Sequence, residues 1–138
     1  MFIVADASLW IARLVSEDVF YRPVKDWMAA RLEEEDQFLA PSLLLAEIGG
    51  AISRRTTAAL ALRAIEQVQS LPGLQLIEME QSLIDDAAQL AAELGLRGAD
   101  STYVAVAVRL DLPLITLDVD QGQRAAKRVR LLNISIEG

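Results

Sequence analysis

Phe2-Ile-Val-Ala-Asp6-Ala-Ser8-Leu-Trp-Ile11 decides the fold: a short apolar run stops at an aspartate and continues into a second apolar stretch. Phe2 to Ala5 has the length and composition of a buried strand, and Asp6 is a good helix N-cap residue ahead of Leu9, Trp10 and Ile11. The segment therefore predicts strand, turn and helix, with a carboxylate at the point where the strand ends.

The same alternation continues along the chain. Val24, Trp27, Met28 and Leu32 fall at helical spacing within Tyr21 to Glu35, and Glu33-Glu34-Glu35-Asp36 closes that helix on a solvated face. Gln37 to Ala40 predicts a second strand, and Pro41-Ser42 suits the start of a helix running to about Arg54. Another helix is expected over Ala58 to Leu71. Pro72-Gly73 stops it, and Leu74 to Ile77 predicts a third strand.

Leu83, Ala87, Leu90 and Leu94 form one stripe of a helix over Glu80 to Leu94, with Gly95 in the position just past its end. In Ser101 to Leu110, Val104, Val106 and Val108 alternate with alanine and would also suit a strand. The alanines and a cap from Asp100-Ser101 favour helix. Leu114 to Thr116 then predicts a strand, Val119 to Arg128 a helix and Leu131 to Ile134 a last strand. Strands alternating with helices imply a single α/β domain over 1–138 with a mostly parallel sheet, in which ligands bind outside the carboxyl ends of the strands.

Composition narrows the chemistry. The 138 residues contain no histidine and no cysteine, which excludes imidazole and thiolate catalysis, disulfides and thiolate zinc sites. Carboxylates holding a hard divalent cation remain as catalytic equipment. A formal charge of -7 argues against general adhesion to nucleic acid and leaves room for a local site. The 53% hydrophobic content mildly favours burial against another copy of the chain. With no basic leader and no uninterrupted apolar stretch of about 18 residues, a soluble cytosolic protein is expected.

Asp6, Glu47, Asp100 and Asp118 are the candidate acids. Asp6 and Asp118 follow predicted strands and belong at the same edge of a parallel sheet. Glu47 lies beside the apolar face formed by Leu43, Leu44, Ile48 and Ala51, where an unpartnered ionised carboxylate costs several kcal/mol. Each has a simpler explanation as well. Asp6, Asp100 and Asp118 could cap helices, and Glu47 could pair with Arg54, Arg55 or another arginine. Asp120 is expected to be a helix-start residue. Arg13, Arg54, Arg55, Arg97, Arg124, Lys127, Arg128 and Arg130 are the cations available to hold a phosphate, whereas Trp10, Trp27 and Tyr103 are expected in the core more than on bases.

Taken together, Val4-Ala-Asp6-Ala-Ser8, Pro41 with Glu47 six residues on, Gly98-Ala-Asp100-Ser-Thr-Tyr-Val-Ala105 and Leu114-Ile-Thr116-Leu-Asp118 resemble the PIN-domain nucleases, specifically the VapC-type toxins of prokaryotic toxin–antitoxin pairs, over the whole length. That resemblance implies a three-layer α/β/α sandwich with a central, mostly parallel sheet. It also implies a magnesium- or manganese-dependent endoribonuclease, frequent homodimers and inhibition by a cognate antitoxin. Asp6, Glu47, Asp100 and Asp118 match the family's acidic quartet as metal-binding and catalytic residues, and Ser8 and Thr116 match hydroxyl positions beside it. Two other readings compete: a non-catalytic binding or assembly module of the same shape, and a haloacid-dehalogenase-type phosphatase. The phosphatase normally needs a second aspartate where Ser8 stands.

Overall fold

The computed structural model describes residues 1–134. Four strands, β1 (Phe2–Ala5), β2 (Gln37–Pro41), β3 (Leu74–Ile77) and β4 (Leu114–Ile115), form a sheet in the order β3-β2-β1-β4. All three strand pairings are parallel. Helices flank the sheet in the expected α/β/α arrangement: α1 (Ala7–Leu14), α2 (Tyr21–Glu33), α3 (Leu44–Arg55), α4 (Ala58–Gln69), α5 (Gln81–Leu94), α6 (Gly98–Leu110) and α7 (Val119–Ala125).

β1 and β2 are the inner strands of the sheet. Ile3, Val4 and Ala5 are fully buried, and a strand covered on both faces needs such a run. Val4 pairs with Leu39 on one side and with Leu114 on the other. Phe38 of β2 is wedged between Trp10 of α1 and Trp27 of α2, with ring centroids 5.7 and 5.9 Å away. Both tryptophans thus serve the core, as their spacing predicts. The Trp10 indole N–H reaches the Ala5 carbonyl at 3.1 Å, so its polar atom is satisfied inside the protein.

Several boundaries differ from the sequence expectation. Pro41 does not open α3; it is the last residue of β2, and a turn at Ser42 and Leu43 precedes the helix. A proline N–H is not needed there, because Ser42 donates to Ile77 instead and closes the ladder with β3. α6 begins at Gly98, three residues before the expected start, which places Asp100 inside its first turn rather than at its cap. α7 stops at Ala125, short of Arg128. The expected strand over Leu131 to Ile134 reduces to a single parallel bridge from Leu131 to Leu114, with no strand over 132–134.

α5 ends as its sequence predicts. Gly95 adopts φ +68°, and a Cβ there would stand 2.6 Å from Arg124 Nη1. Truncating the aromatic wedge tests the packing on which β1 and β2 depend. Phe38, 1% exposed, should cost about 3–5 kcal/mol on replacement by alanine, read as a lowered denaturant midpoint with an unchanged slope.

Candidate functional site

The parallel sheet gathers its carboxyl ends at one edge. β1 ends at Ala5, paired with Ile115 of β4, and the Asp6 N–H continues the ladder by donating to the Ile115 carbonyl at 3.1 Å. Asp6 and Thr116 therefore leave neighbouring strands side by side. α3 follows β2 and carries Glu47 in its first turn, while the first turn of α6 brings Asp100 and α7 begins at Asp118.

Asp6 is 5% exposed and caps α1, accepting from the Ser8 N–H at 3.0 Å and from the Ser8 hydroxyl. Ser8 Oγ in turn accepts from the Leu117 N–H at 2.9 Å, tying the β1 exit to the β4 exit. Thr116 Oγ1 accepts from the Asp118 N–H at 3.1 Å, and its hydroxyl lies near enough to Asp6 to lower that carboxyl. Ser8 and Thr116 are thus beside the acids, where the sequence motif puts them. The capping explanations of Asp6 and Asp118 also hold, since Asp118 Oδ1 accepts from Gln121 N–H at 3.0 Å. The cap and the candidate site residue are the same carboxylate here, since each aspartate stands where a strand exit feeds a helix.

Glu47 is partly buried and is not paired with Arg54 or Arg55. Its partner is the Tyr103 hydroxyl, which donates to Oε1 at 2.7 Å. Tyr103 is 1% exposed, so its ring is core as expected while its hydroxyl serves the site. That second role is legible in the sequence only from α6 periodicity, which puts Tyr103 one turn beyond Asp100 on the same face. Burial, reinforced by the adjacent Glu47 carboxylate, pushes the phenol far upward, so it remains a donor.

Arg97 bridges the other two acids, donating from Nε to Asp100 at 2.7 Å and from Nη2 to Asp118 at 2.6 Å. Its backbone N–H is held by Oε1 of buried Gln121 at 3.1 Å, a contact the sequence reading did not anticipate. Asp120 pairs with Arg124 at 3.0 Å in the first turn of α7, as a helix-start residue should.

Crowding of negative charge is visible in the protonation equilibria. Burial, with a further push from Asp100, raises Asp6 to about 6 against the lowering effect of Ser8 and Thr116. Burial and the Asp100 charge also raise Glu47, opposed by Tyr103 and by Arg97. Asp118 is lowered, first by the Gln121 N–H and then by Arg97. Asp100 is thus the common neighbour: its charge acts on Asp6 and Glu47, and one guanidinium joins it to Asp118.

This all-oxygen donor set with surplus negative charge has the chemistry a hard divalent cation requires. As the side chains stand, no three acids among the described residues converge tightly enough to cage an ion, and Arg97 is paired with Asp100 and Asp118.

A raised Asp6 binds its proton more tightly when folded, so its contribution to stability is full below about pH 4 and is lost as pH rises through about 6. Asp6→Asn keeps the cap and removes the charge. The metal-free variant should melt above the wild type at pH 8, by up to about 3 kcal/mol, with the difference shrinking toward pH 4. Tyr103→Phe should raise the Glu47 carboxyl still further, as followed by carbon-detected NMR titration of its side chain.

A PIN domain family model matches residues 3–127. No curated protein matches the chain in sequence. Among solved structures, the sarcin–ricin loop cleaving toxin VapC20 of Mycobacterium tuberculosis is similar at TM-score 0.75 and 18% identity, covering 88% of this chain and 93% of that one. VapBC2 from Rickettsia felis, bound to a DNA fragment from its promoter, gives TM-score 0.75 at 14% identity, covering 98% and 100%. VapBC-1 from nontypeable Haemophilus influenzae gives 0.71 at 18%, covering 96% and 98%. PIN domains are typically metal-dependent nucleases. With the family match spanning nearly all of the sequence and the fold agreeing over nearly the full length, the chain belongs to the PIN domain family.

Proposed function

We propose that this protein is a magnesium- or manganese-dependent endoribonuclease, the toxin of a type II toxin–antitoxin pair, acting as a single PIN domain over 1–138. The observation that carries this reading is the arrangement about Asp100, whose charge acts on Asp6 and Glu47 and which Arg97 joins to Asp118. The similar structures support the biological role, since VapC20 is a sarcin–ricin loop cleaving toxin and VapBC2 was crystallised bound to a DNA fragment from its promoter. The cytoplasm is the proposed compartment, because RNA and a cognate antitoxin protein would meet such a chain there. A homodimer is the proposed assembly.

Asp6 and Asp100 would hold the metal most directly, with Glu47 and Asp118 acting directly or through water. The bound ion supplies charge neutralisation of the phosphodiester and activation of water for in-line attack. This chain's part is orientation. Ser8 fixes the Asp6 carboxylate with Thr116 beside it, Tyr103 leaves Oε2 of Glu47 as its unlocked oxygen, and Asp118 is held by its own helix cap. Hydrolysis of this kind leaves 5′-phosphate and 3′-hydroxyl ends.

One observation favours the competing reading of a non-catalytic module: Arg97 already satisfies Asp100 and Asp118. Metal binding separates the two. Millimolar manganese should raise the melting temperature of the wild type, as any ligand of the native state does, and an unchanged value supports the module. On total RNA, manganese-dependent cuts should map to discrete bonds, vanish in excess chelator and vanish with Asp6→Asn or Asp100→Asn. Full activity of either variant, or undiminished cleavage in chelator, overturns the nuclease reading. Ser8→Ala should reduce cleavage about 10- to 100-fold, the usual effect of losing a partner of a metal-binding group.

A further inference from the structure

Arg97 is built unlike the other basic residues. Its backbone is pinned by Gln121, yet its side chain is 65% exposed and reaches back over the sheet edge to Asp100 and Asp118. Among the described residues, the remaining arginine ion pairs, formed by Arg31, Arg55, Arg109, Arg124 and Arg128, engage acids elsewhere. Arg97 therefore supplies the ion pairs that enter the quartet.

The fork takes one oxygen from each aspartate, and in both cases it is Oδ2. A guanidinium and a divalent ion compete for the same carboxylates, and a guanidinium offers no acceptor of its own to the incoming cation. It also divides the quartet. Asp6 and Glu47 have hydroxyl partners, Ser8 and Tyr103, while Asp100 and Asp118 share a charged one, Asp118 accepting from the Gln121 N–H as well. Hydroxyl bonds can persist beside a bound cation, because a carboxylate oxygen has a second lone pair and the hydroxyl is neutral. A positive group at contact distance from that cation cannot persist so readily. Exposed ion pairs are weak and screened, so this fork can open.

We propose that Arg97 is a positioning residue that acts as the site's exchangeable counterion: it holds Asp100 and Asp118 in the metal-free protein and surrenders them when a divalent cation enters. The inference rests on the carboxylate metal site proposed above. Loading is then an exchange of one cation for another, and Arg97 sets how much metal is needed to start it.

The test is titration of the full metal-free chain with manganese chloride by calorimetry, comparing wild type, Arg97→Gln and Arg97→Lys. Arg97→Gln should bind manganese about fivefold more tightly, the worth of an exposed ion pair that metal entry no longer has to break. Arg97→Lys keeps the charge and loses the fork. It should also bind more tightly than wild type, which a long-range charge effect alone would not produce. In proton–nitrogen spectra, the Arg97 Nε–H resonance, identified by its absence from Arg97→Gln, should shift on addition of magnesium toward that of a free arginine. Equal affinities in wild type and Arg97→Lys, weaker binding by Arg97→Gln, or an Nε–H signal unmoved at saturating magnesium each overturn the exchange. If none of the three proteins binds manganese while all remain folded, the metal site itself fails and the exchange falls with it. Asp100→Asn is the reference for lost binding.

Discussion

Parallel pairing of β1 with β4 is the constraint on which the site depends. It joins chain segments more than a hundred residues apart, and the hydrogen bond from Leu117 N–H to Ser8 Oγ locks their exits together. The ladder is short, since β4 has two residues. Its hold comes from burial: Val4, Ala5, Leu114 and Ile115 are all inside the protein. Side-chain hydroxyls then continue, beyond the last backbone pair, the work that a longer strand would do. Positioning of Asp6 is therefore as firm as the core beneath it.

Crossing that constraint is a second one, electrostatic in origin. Carboxylates brought to one edge repel, and the protein answers in two ways. Deeply placed Asp6 and partly buried Glu47 are raised toward the neutral form and receive hydroxyl partners, whereas the more exposed Asp118 is lowered by a backbone N–H and a guanidinium. The division follows solvent access. A buried charge is costly without a partner, while a charge near water can keep its ionised form beside an arginine.

Most of this was legible in the residues. The strand-to-helix passage at Asp6 is announced by an apolar run ending at a capping residue, and the four acids follow from their attachment to such segments. The start of α6 was not legible, for a physical reason. Ser101 to Ala107 are buried on every side, so no polar face marks the helical period, and the helix opens on Gly98 without a side-chain cap. Pro41 misleads in the same way: a residue common at helix starts is equally tolerated where a strand ends. The Leu131 to Ile134 run has strand composition but bonds only around Leu114, because β4 is too short to offer it a longer template. Arg97 was one of eight candidate cations, and only tertiary placement distinguishes it from the rest.

Asp100 and Tyr103 are one turn apart on α6, and they serve different acids: Asp100 is itself a member of the quartet, while Tyr103 holds Glu47. A twist of α6 about its axis would move both at once. Lesions along the seam between α5 and α6, far from the sheet edge, would in that case be felt as a change in the geometry of two carboxylates together. α5 packs along α6, and the buried Leu83, Ala87 and Leu90 of α5, none of which carries any chemistry of its own, belong to the core that would resist such a twist.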